Sequence, residues 1–388
     1  MNKLIPLSVP TLKGNELKYV TDAIEKEWVS TGGAYIARYE TEIANYLNVG
    51  SAVACQSGTA GLHLALILSG VEKDHEVIVP TLTFIAAVNP VKYLQAHPVF
   101  MDCDDSLCMD MNKLKEFCRT ECDFVDNQLI NRSTGRQIKA VVVVHVFGNM
   151  ADMPAIMDIA EEYNLKVIED ATEALGTCYV DGRYKGKYAG TIADVGVYSF
   201  NGNKIITTGG GGMMVSNDTD LMKRAKYLST QAKDDAANFI HNEVGYNYRM
   251  TNLQAALGVA QLEQLENFIS VKKENHTLYR SGINDKINGL KILDFRNGTK
   301  PNYWFYSLYI KDLYKYSKDK IISCLAEDNI QVRPIWGLIH AQKPYLYDRA
   351  YRIEKALDYY SRIVNLPCST NLSADDVYKV INKINTIS

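Results

Sequence analysis

Nothing in this sequence runs apolar for long. No stretch approaches the roughly 18 residues that a transmembrane helix needs, and residues 1–10 lack the apolar centre of a signal peptide. Charge of one sign is missing as well. Basic residues number 42 and acidic ones 45, which leaves a formal net charge of -3 with no long like-charge run. That removes the electrostatic case for nucleic acid or an anionic membrane, so a cytoplasmic protein that binds neither is expected. Cysteine is sparse, eight in 388 residues, which excludes a disulfide scaffold. Four of them crowd at Cys103, Cys108, Cys118 and Cys122, but their gaps do not match the paired spacing of a zinc ribbon, and no metal is expected. Internal repeats and low-complexity segments are absent too.

What is present is an ordinary globular composition, 47% hydrophobic, in a chain long enough for two domains. Pro6 and Pro10 hold an N-terminal arm out of helix. A helix is expected to start at Gly14 or Asn15, with Leu17, Val20, Ile24 and Trp28 on one apolar stripe. From about residue 51 to 200, short apolar runs (76–79, 98–101, 139–146, 166–169) alternate with helical patterns, which argues for an α/β layer around a mainly parallel sheet. Residues 127–137 read as a surface excursion and 231–242 as a polar loop. A single long helix from 252 to about 267 is expected to lead into a second domain.

Ligands bind such sheets outside the carboxyl ends of the strands, and three candidates stand there. Ser57 is placed to cap a helix whose first residues, Gly58 and Thr59, present free N–H groups to a phosphate. Phe84 falls where a strand gives way to helix, and Asp170 closes another strand. Further on, Lys204 stands alone in a polar loop before four glycines, 209–212. Backbone that bare suggests close approach by something planar or anionic.

In order, these segments are Ser57-Gly-Thr-Ala60, Thr83-Phe-Ile-Ala86, Asp170-Ala-Thr-Glu-Ala174, Ser199-Phe-Asn-Gly-Asn-Lys204, Thr208-Gly-Gly-Gly-Gly212 and Gly245-Tyr-Asn-Tyr-Arg-Met250. Together they resemble the DegT/DnrJ-like nucleotide-sugar aminotransferases, pyridoxal-phosphate (PLP) enzymes of fold type I. Within that family they look closest to members acting in legionaminic acid and bacillosamine synthesis. The resemblance spans nearly the whole chain. It implies an α/β fold: an arm (1–15), a large domain (16–255) with a mainly parallel seven-stranded sheet between helices, and a smaller C-terminal α+β domain (256–388).

The resemblance also assigns roles. Lys204 would hold PLP as an imine, since only an amine can condense with its aldehyde, and Asp170 would face the pyridine nitrogen. Ser57, Gly58, Thr59 and Ser199 would cradle the phosphate, Phe84 would stack on the ring, and Asn201 would join the cofactor contacts. Glu173 stands where many members carry Gln beside the 3-hydroxyl, and Gly210 where many carry Glu. Asn247 would reach the phosphate of a neighbouring subunit, which makes the enzyme a homodimer with shared sites. Arg333 and His340 would meet the substrates, with arginine and not a metal handling the anions. The implied reaction moves an amino group from L-glutamate to a UDP-linked 4-keto-6-deoxy sugar. A 3-keto sugar acceptor, a PLP-dependent dehydratase (whose members replace the lysine with histidine) and a PLP-binding regulator without catalysis are the alternatives.

Overall fold

The computed structural model describes residues 3–387. Its main sheet is assembled from β1 (Ser51–Cys55), β2 (Glu76–Pro80), β3 (His97–Met101), β4 (Cys122–Val125), β5 (Gln128–Asn131), β6 (Gln137–Val144) and β7 (Lys166–Asp170). A two-residue strand, β8 (Cys178–Tyr179), lies outside it, and β9 (Val195–Ser199) and β10 (Gly212–Ser216) complete the N-terminal set. The C-terminal part adds β11 (Leu290–Ile292), β12 (Thr299–Lys300), β13 (Tyr306–Ile310), β14 (Arg333–Pro334), β15 (Arg349–Tyr351) and β16 (Ile363–Leu366).

The main sheet runs β1-β10-β9-β7-β6-β2-β3-β15, with the β4–β5 hairpin attached through β5 to β6. It therefore holds ten strands, not seven. The residues 127–137, read as a surface excursion, form part of that hairpin, and β15 extends the other edge. Pairing is parallel from β9 through β7, β6, β2 and β3 to β15, while β10 runs antiparallel to both β1 and β9. The central strands are buried nearly throughout, as expected of a parallel sheet covered on both faces.

A second, antiparallel sheet, β11-β13-β16-β14, forms the core of the C-terminal part. The two parts are laced together. β12 pairs with β8, β15 joins the main sheet, and the arm pairs with the C-terminal part through Ile5 beside Ile330. The boundary expected at 255/256 falls inside the helix Asn252–Leu262, which packs on the helices Glu16–Glu25 and Ala34–Leu47. The single helix expected there is two, Asn252–Leu262 and Leu265–Ile283, with a break at Glu263 and Gln264. Among the described residues no helix is long and apolar enough to cross a membrane, and no cluster of side chains is suited to hold a metal ion.

The first helix departs from its apolar pattern. Leu17, Ile24 and Trp28 face outward, while Glu16 and Ala23 are buried. Glu16 earns its interior place by hydrogen bonds: its carboxylate accepts the Gly14 N–H (2.6 Å) and the Gln261 side-chain amide (2.7 Å).

One buried acid joins the two parts of the chain. Asp102, just beyond β3, accepts the Lys113 ammonium at 2.6 Å and the N–H groups of Glu354, Lys355 and Ala356 at 3.0, 2.9 and 2.8 Å. The last three open the helix Lys355–Arg362, so Asp102 caps it from the other part of the molecule. Burial alone would raise this carboxyl, but Lys113 and the three N–H groups outweigh it and hold it below its usual value. Removing the carboxylate leaves Lys113 and three helix-start donors without it, so Asp102→Ala is expected to cost about 3–5 kcal/mol at neutral pH. A depressed carboxyl stabilises the fold above its unfolded value of about 3.9 and loses that contribution as pH falls through the folded value. Urea melts of Asp102→Ala and wild type should therefore converge as the pH is lowered from about 6 to about 3.

Candidate active site

A cavity of about 800 Å³ opens at the carboxyl ends of β1, β2, β7 and β9, which all point the same way. Each of these strands delivers a functional segment as it ends. After β1, Ser57 takes an extended conformation and its Oγ accepts the Ala60 N–H at 3.1 Å, capping the helix Gly58–Leu68. The first N–H groups of that helix, on Gly58 and Thr59, have no partner within it and face the cavity end. A Cβ on Gly58 would lie 2.9 Å from Ser199 Cβ and 3.0 Å from Thr172, so only glycine lets the three segments meet.

At the end of the four-glycine run, Gly212 meets the protein's own backbone. None of residues 209–212 lines the cavity. A Cβ on Gly212 would sit 2.5 Å from the Ser57 carbonyl carbon and 2.7 Å from the Gly58 nitrogen. The close approach is therefore by the protein's own backbone. β10 is pressed against the start of the helix Gly58–Leu68, and the bare glycine makes room for it.

β7 ends in Asp170, which is buried and accepts the Thr172 N–H at 3.0 Å. Burial raises this carboxyl, opposed by its Thr172 hydrogen bonds and by the charges of Lys204 and His145. Glu173 is also buried. Its Oε2 accepts the Phe147 N–H at 2.8 Å, and its Oε1 stands 3.7 Å from Lys204 Nζ. Burial pushes the Glu173 carboxyl up to about 7, against the pull of Lys204 and the Phe147 N–H and with added repulsion from Asp170. Lys204 itself hangs from a turn closed by its N–H on the Asn201 carbonyl at 3.0 Å, and its Nζ lies 4.3 Å above the Trp304 ring.

Most of the anticipated residues converge on this cavity. Ser57, Gly58, Thr59, Phe84, Asp170, Glu173, Ser199, Asn201, Lys204 and Arg333 line it. Arg333 is exposed at β14, with no carboxylate partner among the described residues. Two others stand outside. His340 turns its Nδ1 to the Thr81 hydroxyl at 2.6 Å and packs near Phe100. Asn247 is exposed, bridged to Thr230 in the segment after the 231–242 loop. Sequence reading missed Phe147, Thr172, Asn203, Trp304, Trp336 and Asn365, which complete the walls. Nothing local to Trp304 in the sequence sets it apart.

The residues fit a flat, phosphate-bearing aldehyde. Open helix N–H groups await an anion in a cradle that a single Cβ would fill, a buried acid lies deeper, and one amine faces the space between. The DegT/DnrJ/EryC1/StrS aminotransferase family pattern matches residues 10–385. The chain belongs to this family. It is 36% identical over 383 residues to the GDP-perosamine synthase of Escherichia coli O157:H7, covering 99% of this chain and 98% of that one. It is 27% identical to the UDP-4-amino-4,6-dideoxy-N-acetyl-beta-L-altrosamine transaminase of Campylobacter jejuni, over 96% of this chain and 94% of the relative. A solved aminotransferase, TlmJ from Streptoalloteichus hindustanus, superposes with a TM-score of 0.88 at 26% identity, covering 99% of this chain and 98% of its own. The protein is thus a PLP-dependent aminotransferase of the nucleotide-sugar family, with the type I fold.

The aminotransferase carries a pH signature at Glu173. Its folded-state carboxyl is raised, so the unfolded chain ionises first as pH rises. Stability then falls between the unfolded value of about 4.3 and the folded value of about 7, and levels off above it. Glu173→Gln keeps an acceptor for the Phe147 N–H and removes the titration. In the cofactor-free protein its melting temperature relative to wild type is expected to rise from pH 5 to pH 8; a pH-independent difference would contradict the buried, titrating carboxyl.

Proposed function

We propose that this aminotransferase moves the amino group of L-glutamate to C4 of a nucleotide-linked 4-keto-6-deoxy sugar, in the synthesis of bacterial cell-surface amino sugars. The observation that carries this reading is Lys204, a lone amine held between a buried carboxylate and an aromatic face at the mouth of an anion cradle. PLP, when bound, takes up the amino group from one substrate and gives it to the next, its ring accepting electrons from the carbon that loses a proton. The chain's residues do the rest. Gly58 and Thr59 N–H groups with the Ser57 and Ser199 hydroxyls hold the phosphate. Asp170 would face the pyridine nitrogen, and Phe84 and Asn201 would flank the ring. Lys204 would hold the aldehyde and, as a free amine, would take a proton from the substrate carbon. Glutamate leaves as 2-oxoglutarate before the sugar is aminated. Arg333, which lines the cavity without a carboxylate partner among the described residues, suits the carboxylate of glutamate and the diphosphate of the sugar nucleotide.

The position of amination is supported by the name of the Campylobacter relative, a 4-amino-4,6-dideoxy sugar transaminase. The nucleotide is left open by the relatives, one GDP-linked and one UDP-linked. The purified protein should show a visible cofactor band that bleaches with glutamate and returns with the correct keto-sugar nucleotide. Product mass from GDP-, UDP- and TDP-linked 4-keto sugars names the acceptor. Lys204→Ala is expected to lose the band and at least about 10³ of the rate, and a Lys204→Ala enzyme with normal turnover would overturn the mechanism.

We also propose that the working unit is a homodimer whose sites are shared. Asn247 is exposed on the segment following a loop that shows Phe239 and Ile240 to solvent, with Val244 exposed between that loop and Asn247; the first helix shows Leu17 and Ile24, and Trp28 is exposed just beyond its end. Apolar surface of this kind suits a second copy. Mixing inactive Lys204→Ala with inactive Asn247→Ala protein should restore part of the activity, because one site in each hybrid dimer is then intact. Failure of a verified hybrid to gain activity would place Asn247 outside the site.

A further inference from the structure

Lys204 is aimed by residues that come from elsewhere in the chain. A lysine side chain carries about 2 kcal/mol of rotamer entropy, and an amine that sweeps a cavity meets a carbonyl less often than one held in place. Here Nζ lies 4.3 Å over the Trp304 ring, within reach of its negative face, with Glu173 3.7 Å away on the other side.

Trp304 is itself fixed at three points. Its indole N–H donates to the Asn203 carbonyl at 2.7 Å, which ties the ring to the residue next to Lys204. Its backbone N–H donates to Asn302 Oδ1 at 3.0 Å, and its carbonyl, just ahead of β13, accepts Lys272 Nζ at 3.2 Å. Lys272 is the unusual member. It is 3% exposed, on the helix Leu265–Ile283, with no carboxylate partner among the described residues, and burial pushes its amine below the usual lysine value. A lysine without a counter-ion is costly in an interior. What it supplies is two hydrogen bonds, one to Trp304 and one to the Cys368 carbonyl, while the Cys368 N–H donates to the Leu7 carbonyl of the arm at 2.8 Å. Lys272 and Lys204 also border the same void of only about 10 Å³, so the two lysines are near neighbours.

We propose that Trp304 is a positioning residue that aims the Lys204 amine into the cavity, and that the buried Lys272 locks Trp304 in that position. This rests on Lys204 being the amine that captures the cofactor. The full-length protein, stripped of cofactor, is offered PLP, and the growth of the visible band gives the rate of covalent capture. Affinity for pyridoxamine phosphate is measured in parallel, because that ligand has no aldehyde and uses the cradle without Lys204. Trp304→Ala is expected to slow capture at least about tenfold and to keep pyridoxamine phosphate affinity within about threefold. Lys272→Met should slow capture comparably, and the double variant should be no slower than Trp304→Ala alone, since both act on one support.

Capture by Trp304→Ala within about twofold of wild type, or independent multiplication of the two effects, would overturn the proposal. An equal loss of pyridoxamine phosphate affinity would also overturn it, by showing a role in the cradle instead. Should Lys272→Met fail to fold, Trp304→Ala and Trp304→Phe still decide it, with Phe expected to keep part of the rate. A covalent band in Lys204→Ala would instead sink the assignment of Lys204 on which the proposal rests.

Discussion

Two carboxylates buried beside one amine are the most demanding feature of this molecule. Asp170 and Glu173 are 3% and 4% exposed, and a charge taken out of water must be matched by donors or it is neutralised. The donors are few and each needs support. Thr172 N–H serves Asp170, and Phe147 N–H serves Glu173. To aim that N–H, the chain leaves β6 through a turn in which Phe147 has φ +57° and Gly148 has φ +85°, a region costly for the former and open to the latter. The space above Gly148 is taken by Asn302, whose amide donates to the Glu173 and Leu175 carbonyls. Thus the acid pair of the N-terminal part is braced by a side chain more than a hundred residues away, and the same stretch carries Trp304 to Lys204.

The antiparallel strand β10 within the mainly parallel sheet follows from the same site. β10 slots between β1 and β9, and its first residue, Gly212, touches the backbone that opens the cradle helix. A parallel strand there would need a long crossover. The antiparallel return lets the Lys204 loop leave β9 and come straight back beside it. Ser199, Lys204 and the Ser57 segment are thereby held by neighbouring strands, and Gly212 is the steric condition for that arrangement.

Local signals carried much of this. Ser57, Phe84 and Asp170 were legible because a strand-end position is a matter of nearby residues, and the cavity does form at those ends. Lys204 was legible because one loop lysine before a glycine run is an uncommon local pattern. Trp304, Asn302 and Lys272 were not, because their partners lie 101, 129 and 32 residues away and no spacing announces them. The stripe Leu17, Ile24 and Trp28 shows a different limit. Periodicity identifies an apolar face without saying which surface it faces, and here the monomer's own core takes Glu16 and Ala23 instead. The hairpin within residues 122–131 escaped notice because its polar, turn-rich composition is that of an edge ribbon and of a loop alike.

The proposed reaction sets a further demand on the cavity. Glutamate and a sugar nucleotide must occupy it in turn, one small and dianionic in its carboxylates, the other several times larger. At about 800 Å³ the space is near the upper end of ordinary ligand sites, ample for a cofactor and part of a second molecule. Its inner wall holds the buried acids, whereas Trp336 and Arg333 line it from the C-terminal part, Trp336 lying 6.4 Å from Phe84. A guanidinium without a carboxylate partner among the described residues can pair with whichever anion arrives, and the Trp336 face gives a sugar or base apolar surface without fixing its identity. In the proposed reaction the chemistry belongs to Lys204 and the buried acids, and the choice of sugar to Trp336, Arg333 and their neighbours. Variation among relatives with GDP- and UDP-linked substrates would then fall on the latter residues and leave Lys204 and its acids untouched.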